Sequence, residues 1–519
     1  MGFTAVVKGN ESYPESRVLI IITGGTICMQ PSEDGSGLVP VDGFLENAMA
    51  PRPSFNDKSE RVKLSAIKNG EKIQLDSLRT PPSAYSRHVR YGALEFNPLL
   101  DSSSISSDGW TQIANTVQEN YHLFDGFVVL HGTDSLAYSA SALSFMMEDL
   151  GKPVIFTGSQ ASIFALQSDA VDNLLGSLII AGTFVIPEVC LFFHHTLFRG
   201  NRTTKVSASQ FQAFDSPNCE PLAKVTSIGI EVNWSLIHRP TAIAQFKITP
   251  YLDTTHVACV RIFPGIKPEM VDFVLRVPDL KGLILETFGM GNAPSGVDGS
   301  LTKAIRSAVE RGITVINVSQ CTNGFVSPLY APGFALGKAG VVFGHDLTTE
   351  AALTKLGYLL ARGLEPADVA ARMSRSLRGE LTELALPAFT HPAAGLDESG
   401  SLLSGPEAAF TRLGYAIAKG DLSAVVELLE GDAVNHQLLM RADYAGNTAM
   451  HLAAVGPEVE VLKELLLRGA SVHERNRANN TPLFLAAKGG KQEFVNLLRE
   501  AGAALWEEET GVDGVVTKS

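Results

Sequence analysis

Basic charge is in deficit in this chain of 519 residues: 42 Lys and Arg stand against 55 Asp and Glu, a formal net charge of −13. That balance excludes a nucleic-acid binder or a protein held on an anionic membrane, because both need a basic face. Cysteine is scarce too. The five present, Cys28, Cys190, Cys219, Cys259 and Cys321, are odd in number and scattered, which excludes a disulfide framework and points to reduced thiols in a cytoplasmic protein. No His/Cys grouping has metal-ligand spacing, so no metal and no cofactor is expected. Long apolar runs are missing as well. Val18–Ile22 is too short for a signal-peptide core, and Leu174–Val185 is interrupted by Gly176, Ser177, Gly182 and Thr183, so no membrane span is expected.

What remains, 45% hydrophobic and 19% charged, is a globular composition with room for about three domains. Val18-Leu-Ile-Ile-Ile22 reads as a buried parallel strand that ends in Thr23-Gly-Gly-Thr26. The glycines allow a sharp turn and close backbone approach. Gln30 to Gly43 reads as a long loop beside that turn. Strand Gly126–Leu130 runs into His131-Gly-Thr133-Asp134-Ser135, helix Leu136–Leu150 follows, and strand Lys152–Thr157 precedes Gly158-Ser-Gln160. Helix Asp169–Ala181 and strand Val189–Phe193 continue an alternation that signals βαβ units and a parallel sheet. A second, smaller α/β unit starts near Cys259, and residues 377–408, rich in Gly, Ser, Pro and Glu, read as a linker. Gly446-Asn-Thr448-Ala-Met-His451 recurs 33 residues later around Asn480-Thr481-Pro-Leu, with a looser copy before it; this is the ankyrin period.

Four polar clusters follow strands or lie in adjoining loops: Thr23–Thr26, Asp101-Ser102-Ser103, His131–Asp134 and Arg199-Gly-Asn-Arg-Thr-Thr204-Lys205. They supply hydroxyls, a carboxylate and a lysine, the inventory for attack by an activated threonine hydroxyl. Lys205, if held among buried polar groups with its pKa depressed, could act as the base, and backbone N–H groups freed by glycine could hold an oxyanion at about 3 kcal/mol each. Taken singly, each residue also has a plain reading. Lys205 could lie on the surface, Asp134 could cap the helix after Ser135, Asp101 or Ser102 could cap a turn, and His131 reads better as a structural hydrogen-bonder than as an acid–base group.

Thr23-Gly-Gly-Thr26-Ile and His131-Gly-Thr-Asp134-Ser resemble the two signature motifs of the bacterial-type, threonine-nucleophile L-asparaginases, and the resemblance covers about residues 17–375. With Phe198-Arg-Gly-Asn-Arg-Thr-Thr-Lys205, Ser216-Pro-Asn218 and the ankyrin repeats, the layout is similar to the cytoplasmic type I members of animals, a branch also described as "60 kDa lysophospholipase". The resemblance implies an α/β fold: an N-terminal domain over 17–240, a connector over 241–258, a smaller C-terminal α/β domain over 259–376, then the linker and an all-α ankyrin domain over 409–507. It implies Thr26 as nucleophile on L-asparagine, with Thr133, Asp134 and Lys205 as a second polar triad. Gly25, Asp101, Ser102, Ser103, Thr133 and Asp134 would line the substrate, with Ser102 on its α-carboxylate and Asp134 on its α-ammonium. Asn292, in Gly289-Met-Gly-Asn292-Ala-Pro, would reach the substrate from a neighbouring subunit of a homodimer or homotetramer. Cys28 and Ser135 depart from the usual signature residues without removing a reacting group. Leu38 stands where many members carry the tyrosine that partners the nucleophile; Tyr330 is the expected substitute, although a packing role would suit it equally. Glu286 stands in place of an arginine associated with allosteric members. Two other readings are a lysophospholipase-type esterase using the same threonine and a non-catalytic ankyrin scaffold. In each case the repeats would offer a surface to a protein partner.

Overall fold

The computed structural model describes residues 13–32, 37–100, 102–239, 245–250, 256–328, 331–382, 405–430, 438–505 and 509. They fall into two compact units, residues 1–383 and 384–519. In the first, a nine-stranded sheet is built from β1 (Glu15–Ile22), β2 (Ser77–Arg79), β3 (His88–Glu95), β4 (Gly126–Leu130), β5 (Val154–Thr157), β6 (Val189–Phe193), β7 (Thr196–Arg199), β8 (Ala223–Thr226) and β9 (Gly229–Val232). Their order across the sheet is β9-β8-β7-β6-β5-β4-β1-β3-β2. The five strands from β3 to β6 are parallel and the edges antiparallel.

The apolar run of β1 follows from its central place. Val18, Leu19, Ile20 and Ile21 are all 0% exposed. Val18 and Ile20 join the core that includes Leu174 and Leu178 of helix α3 (Ala170–Thr183). Leu19 and Ile21 face the other way, toward Ile113 of α1 (Ser107–Asn120) and Leu143 of α2 (Leu136–Met146). A strand sandwiched between helices needs apolar side chains on both faces, and each such burial is worth about 1.5–3 kcal/mol.

The chain leaves β1 for β3 on one side, then crosses to β4 on the other. The carboxyl ends of β1 and β4 therefore flank a topological switch point, where open α/β sheets leave a crevice for ligands. The register Ile22↔Leu130 sets the two glycine turns side by side.

A second sheet of four parallel strands, β10 (His256–Arg261), β11 (Leu280–Thr287), β12 (Thr314–Ser319) and β13 (Val342–Phe343), carries α4 (Ser300–Glu310) and α5 (Thr349–Ala361). Helix α5 meets α2 of the first sheet's layer, where the Ser141 and Thr354 hydroxyls are 2.7 Å apart.

Three differences from the sequence reading have causes in the tertiary structure. Helix α2 ends at Met146 rather than Leu150, because Met147–Glu148 pairs as a strand with Lys247–Ile248. The Gln30–Gly43 loop contains a hairpin, Met29–Pro31 against Leu38–Pro40, and its residues 33–36 lie outside the described residues. The linker does not begin at residue 377. Leu381 is 4% exposed and Glu380 is 0% exposed, held 2.6 Å from the equally buried Lys355 Nζ and accepting the Leu377 and Arg378 N–H groups. A buried carboxylate needs a charge partner and donors, and composition does not reveal them. The rest of the linker, 383–404, lies outside the described residues, as do 240–244 and 251–255 of the connector, whose last residues from His256 belong to β10.

Among the described residues the second unit shows three helix pairs: α6 (Gly405–Lys419) with α7 (Leu422–Leu428), α8 (Ala449–Val455) with α9 (Val459–Leu467), and α10 (Pro482–Lys488) with α11 (Gln492–Glu500). Leu413, Ile417, Leu462, Leu465, Leu483 and Leu498 share one core. In the middle repeat, His451 Nδ1 accepts the Thr448 N–H at 3.2 Å while Nε2 donates to the Asn480 carbonyl of the next repeat at 3.1 Å.

Candidate active site

The first turn is shaped by backbone. Thr23 donates to the Leu130 carbonyl through its N–H at 3.0 Å and its hydroxyl at 2.8 Å, fastening the end of β1 to β4. Gly25 has φ +94°, and a Cβ there would lie 2.5 Å from the Gly132 nitrogen. Only glycine fits a left-handed conformation pressed against another backbone. Thr26 begins a short 3-10 turn to Cys28 and is half-buried. Among the described residues none hydrogen-bonds its hydroxyl. Cys28 is fully buried, and burial pushes its thiol far above the usual range, so it stays protonated.

The second turn is locked by side chains. Lys205 Nζ donates to Thr133 Oγ1 at 3.0 Å and to Asp134 Oδ1 at 2.9 Å. Thr133 in turn donates its hydroxyl proton to Gln160 Oε1 at 3.2 Å. Lys205 is therefore no surface lysine; its side chain is 21% exposed against 70% for Asp134. Asp134 does not act as a helix cap, since helix α2 has Ser135 at its N-cap without a side-chain cap bond. A Cβ on Gly132 would lie 2.3 Å from Ser102 Oγ, so the Asp-Ser-Ser loop reaches the second turn only because residue 132 is glycine. The Ser135 hydroxyl donates to the Ser102 carbonyl and holds that loop in place.

His131 is structural. It is 1% exposed, its Nδ1–H donates to the Gly132 carbonyl at 2.8 Å, and its Nε2 lies 3.0 Å from the Ser139 hydroxyl, which accepts the Trp110 indole N–H at 2.9 Å. Burial lowers its pKa to about 4, so the ring is neutral and frames the turn.

The structure thus brings Gly25, Thr26, Ser102, Thr133, Asp134 and Lys205 to one end of the sheet. Ser103 is exposed nearby, while Asp101 and Tyr330 lie outside the described residues. Leu38 is exposed on its hairpin. Asn292 closes a tight turn after β11 by exchanging backbone bonds of 2.9 Å with Phe288, and no hydrogen bond among the described residues joins it to Thr26, Ser102 or Thr133. Glu286 is 3.5 Å from Arg261 and accepts the Thr349 hydroxyl at 2.7 Å. The sequence reading missed Gln160. Its signal was present in Gly158-Ser-Gln160, polar residues at the carboxyl end of β5 beside β4. Asp169 holds that loop by accepting the Gln160 and Ala161 N–H groups at 3.1 Å. Among the described residues no group of His, Cys, Asp and Glu could hold a metal ion, and no helix is long and apolar enough to cross a membrane.

The arrangement suits acyl transfer from a small polar amide. It offers a hydroxyl in a glycine turn beside a lysine–threonine–aspartate chain that can stabilise charge and move protons. Family profiles agree: Asparaginase, N-terminal matches residues 17–238, Glutaminase/Asparaginase C-terminal domain matches 256–373, and Ankyrin repeats (3 copies) matches 413–508. The chain is 41% identical over 372 residues to "L-asparaginase 1" of Escherichia coli (strain K12), covering 70% of this chain and 98% of that one. The chain belongs to the asparaginase family. It is similar also to the "60 kDa lysophospholipase" of Mus musculus, 40% identical over 467 residues, with 88% of this chain and 79% of that one covered. L-asparaginase I from Vibrio cholerae has the same fold with a TM-score of 0.59 at 40% identity, covering 71% of this chain and all of the other. This asparaginase-family chain is an amidohydrolase of the two-domain asparaginase fold extended by ankyrin repeats.

Proposed function

We propose that the protein hydrolyses L-asparagine to L-aspartate and ammonia with Thr26 as its nucleophile. The observation that supports this best is Lys205 Nζ held between Thr133 Oγ1 and Asp134 Oδ1 at 3.0 and 2.9 Å, on a turn that packs against the Thr26 turn through Gly25 and Gly132. The Thr26 oxygen attacks the side-chain amide carbon, and its proton passes to the leaving nitrogen, with Tyr330 as the nucleophile's partner. The tetrahedral oxyanion rests on backbone N–H groups of the glycine turns. Collapse breaks the C–N bond, releases ammonia and leaves an ester on Thr26. Thr133 and Lys205 then direct a water to that ester, and aspartate leaves. Ser102 and its neighbours Asp101 and Ser103 take the α-carboxylate end, and Asp134 takes the α-ammonium. Asn292 of a neighbouring subunit completes the pocket in a homodimer or homotetramer. The unpaired state of all five cysteines supports a cytoplasmic setting, and the ankyrin repeats are the surface for a protein partner.

The name of the mouse relative favours one second reading, in which the same threonine cleaves a lysophospholipid ester. Ammonia release from L-asparagine and L-glutamine, and fatty-acid release from a lysophospholipid, are compared for the native protein and Thr26→Ala. Turnover of asparagine alone, lost in the variant, is the expected result. Thr26-dependent fatty-acid release without ammonia overturns the substrate reading and keeps the nucleophile.

A further inference from the structure

Lys205 sits on a segment with little regular structure of its own. Thr204–Lys205 forms a two-stranded pair with Phe214–Asp215, after a 3-10 turn at Gly200–Arg202. The second domain grips this segment at Arg202 and Thr204, and residues 378–382 add bonds to Asn201 and Arg202. Arg202 Nη1 is 2.8 Å from Asp346 Oδ2, and the Thr204 hydroxyl donates to Glu350 Oε1 at 2.7 Å. Glu350 lies in the first turn of α5, whose N-cap Thr348 accepts the Ala351 N–H, and it is 8% exposed. A carboxyl so deeply buried is costly unless it is hydrogen-bonded, and burial pushes its pKa up. The Thr204 hydroxyl is its partner across the domain boundary. The same helix reaches α2, which follows Thr133 and Asp134 in the chain, through the Ser141–Thr354 hydroxyl pair. One helix of the second domain therefore holds both segments whose side chains meet at Lys205 Nζ.

We propose that Glu350 is a positioning residue: by fixing Thr204 it keeps the neighbouring Lys205 Nζ between Thr133 Oγ1 and Asp134 Oδ1, a role that rests on the reading of Lys205 given above. A displacement of about 1 Å at such a group costs up to about a hundred-fold in rate.

The test measures kcat and KM for L-asparagine in the full chain for Glu350→Ala, Glu350→Gln, Thr204→Val, the double variant Glu350→Ala/Thr204→Val, and Lys205→Met. Glu350→Ala and Thr204→Val are each expected to lower kcat about ten- to a hundred-fold with KM within about twofold. The double variant is no worse than the poorer single one, because both remove one bond. Glu350→Gln stays within about threefold of the native kcat, since its amide oxygen can accept the Thr204 bond. Should Glu350→Ala fail to fold, the near-isosteric Thr204→Val decides by the same split. A native kcat in these variants, or losses that multiply in the double variant, overturns the proposal while Lys205→Met is inactive. A fully active Lys205→Met overturns the site reading and this proposal with it.

Discussion

Two threonines stand at the ends of neighbouring strands, each in a glycine-bearing turn, and the protein treats them in opposite ways. At Thr133 the hydroxyl is held by side chains, with the proton given to Gln160 and a lone pair taken by Lys205. At Thr26 the described residues fix the backbone, through the Thr23 bonds to Leu130 and the packing of Gly25 on Gly132, and none of them hydrogen-bonds the hydroxyl. A hydroxyl that must form a bond to substrate needs an uncommitted oxygen at a fixed place. A hydroxyl that relays protons or charge needs its partners already present. The contrast teaches that the same residue type is assigned its role by the groups around it.

The sharpest way to break the comparison is to remove each hydroxyl in turn. Thr26→Ala is expected to lower kcat for the amidohydrolase reaction about a thousand-fold or more, measured as ammonia release, whereas Thr133→Ala loses about a hundred-fold. Equal losses would erase the distinction between nucleophile and relay. The packed backbone beneath both turns is next. Gly25→Ala forces a side chain at φ +94° into the Gly132 backbone and is expected to cost about 3 kcal/mol of stability, read as a drop in denaturant midpoint.

The neutral ring under the second turn gives a pH test. His131 titrates near 4 in the folded protein, below its ordinary 6.5, so the unfolded chain takes up the proton first as pH falls. Stability contributed by that neutral ring is whole above about pH 6.5 and is lost progressively down to about pH 4, by about 2–3 kcal/mol. His131→Asn, which keeps a donor for the Gly132 carbonyl, is expected to flatten that slope in denaturation series at pH 7, 5.5 and 4.5. An unchanged slope would mean that other groups carry it. The smallest effect belongs to Gln160. Gln160→Ala releases the Thr133 proton from its acceptor at the price of one neutral hydrogen bond, so kcat should fall only about five- to tenfold. A loss as large as that of Thr133→Ala would make Gln160 part of the chemistry.

The elements that were legible were those with local causes. The run Val18–Ile22 reads as a buried strand because it is apolar on both faces, and Gly126–Leu130 and Val189–Phe193 match their strands residue for residue. The ankyrin period is a repetition in the chain itself, and the family profile for the repeats spans 413–508. The glycines of both turns were legible as close approaches, though not what approaches them.

The misreadings have distant causes. Helix α2 stops early because Lys247–Ile248, about a hundred residues on, pairs with Met147–Glu148. The pairing places Glu148 3.0 Å from Lys247 and 2.6 Å from Arg362, and no helical periodicity records that. Residues 377–382 read as a linker because their composition is polar, and they are interior because Lys355 waits for Glu380. The sequence pattern gives Gln160 no role because its partner Thr133 is 27 residues away.

The sequence alone determined which chemistry is available, an amidohydrolase inventory of hydroxyls, carboxylate and lysine on strand-end turns, because side-chain type and glycine placement are local properties. Tertiary structure decided that Lys205 and Gln160 bond the Thr133 hydroxyl while none of the described residues bonds that of Thr26, and that Glu350 bonds Thr204 beside Lys205. Those roles depend on contacts between residues up to 146 positions apart in the chain, and a hydrogen bond responds to distance and direction in space rather than to spacing along the sequence.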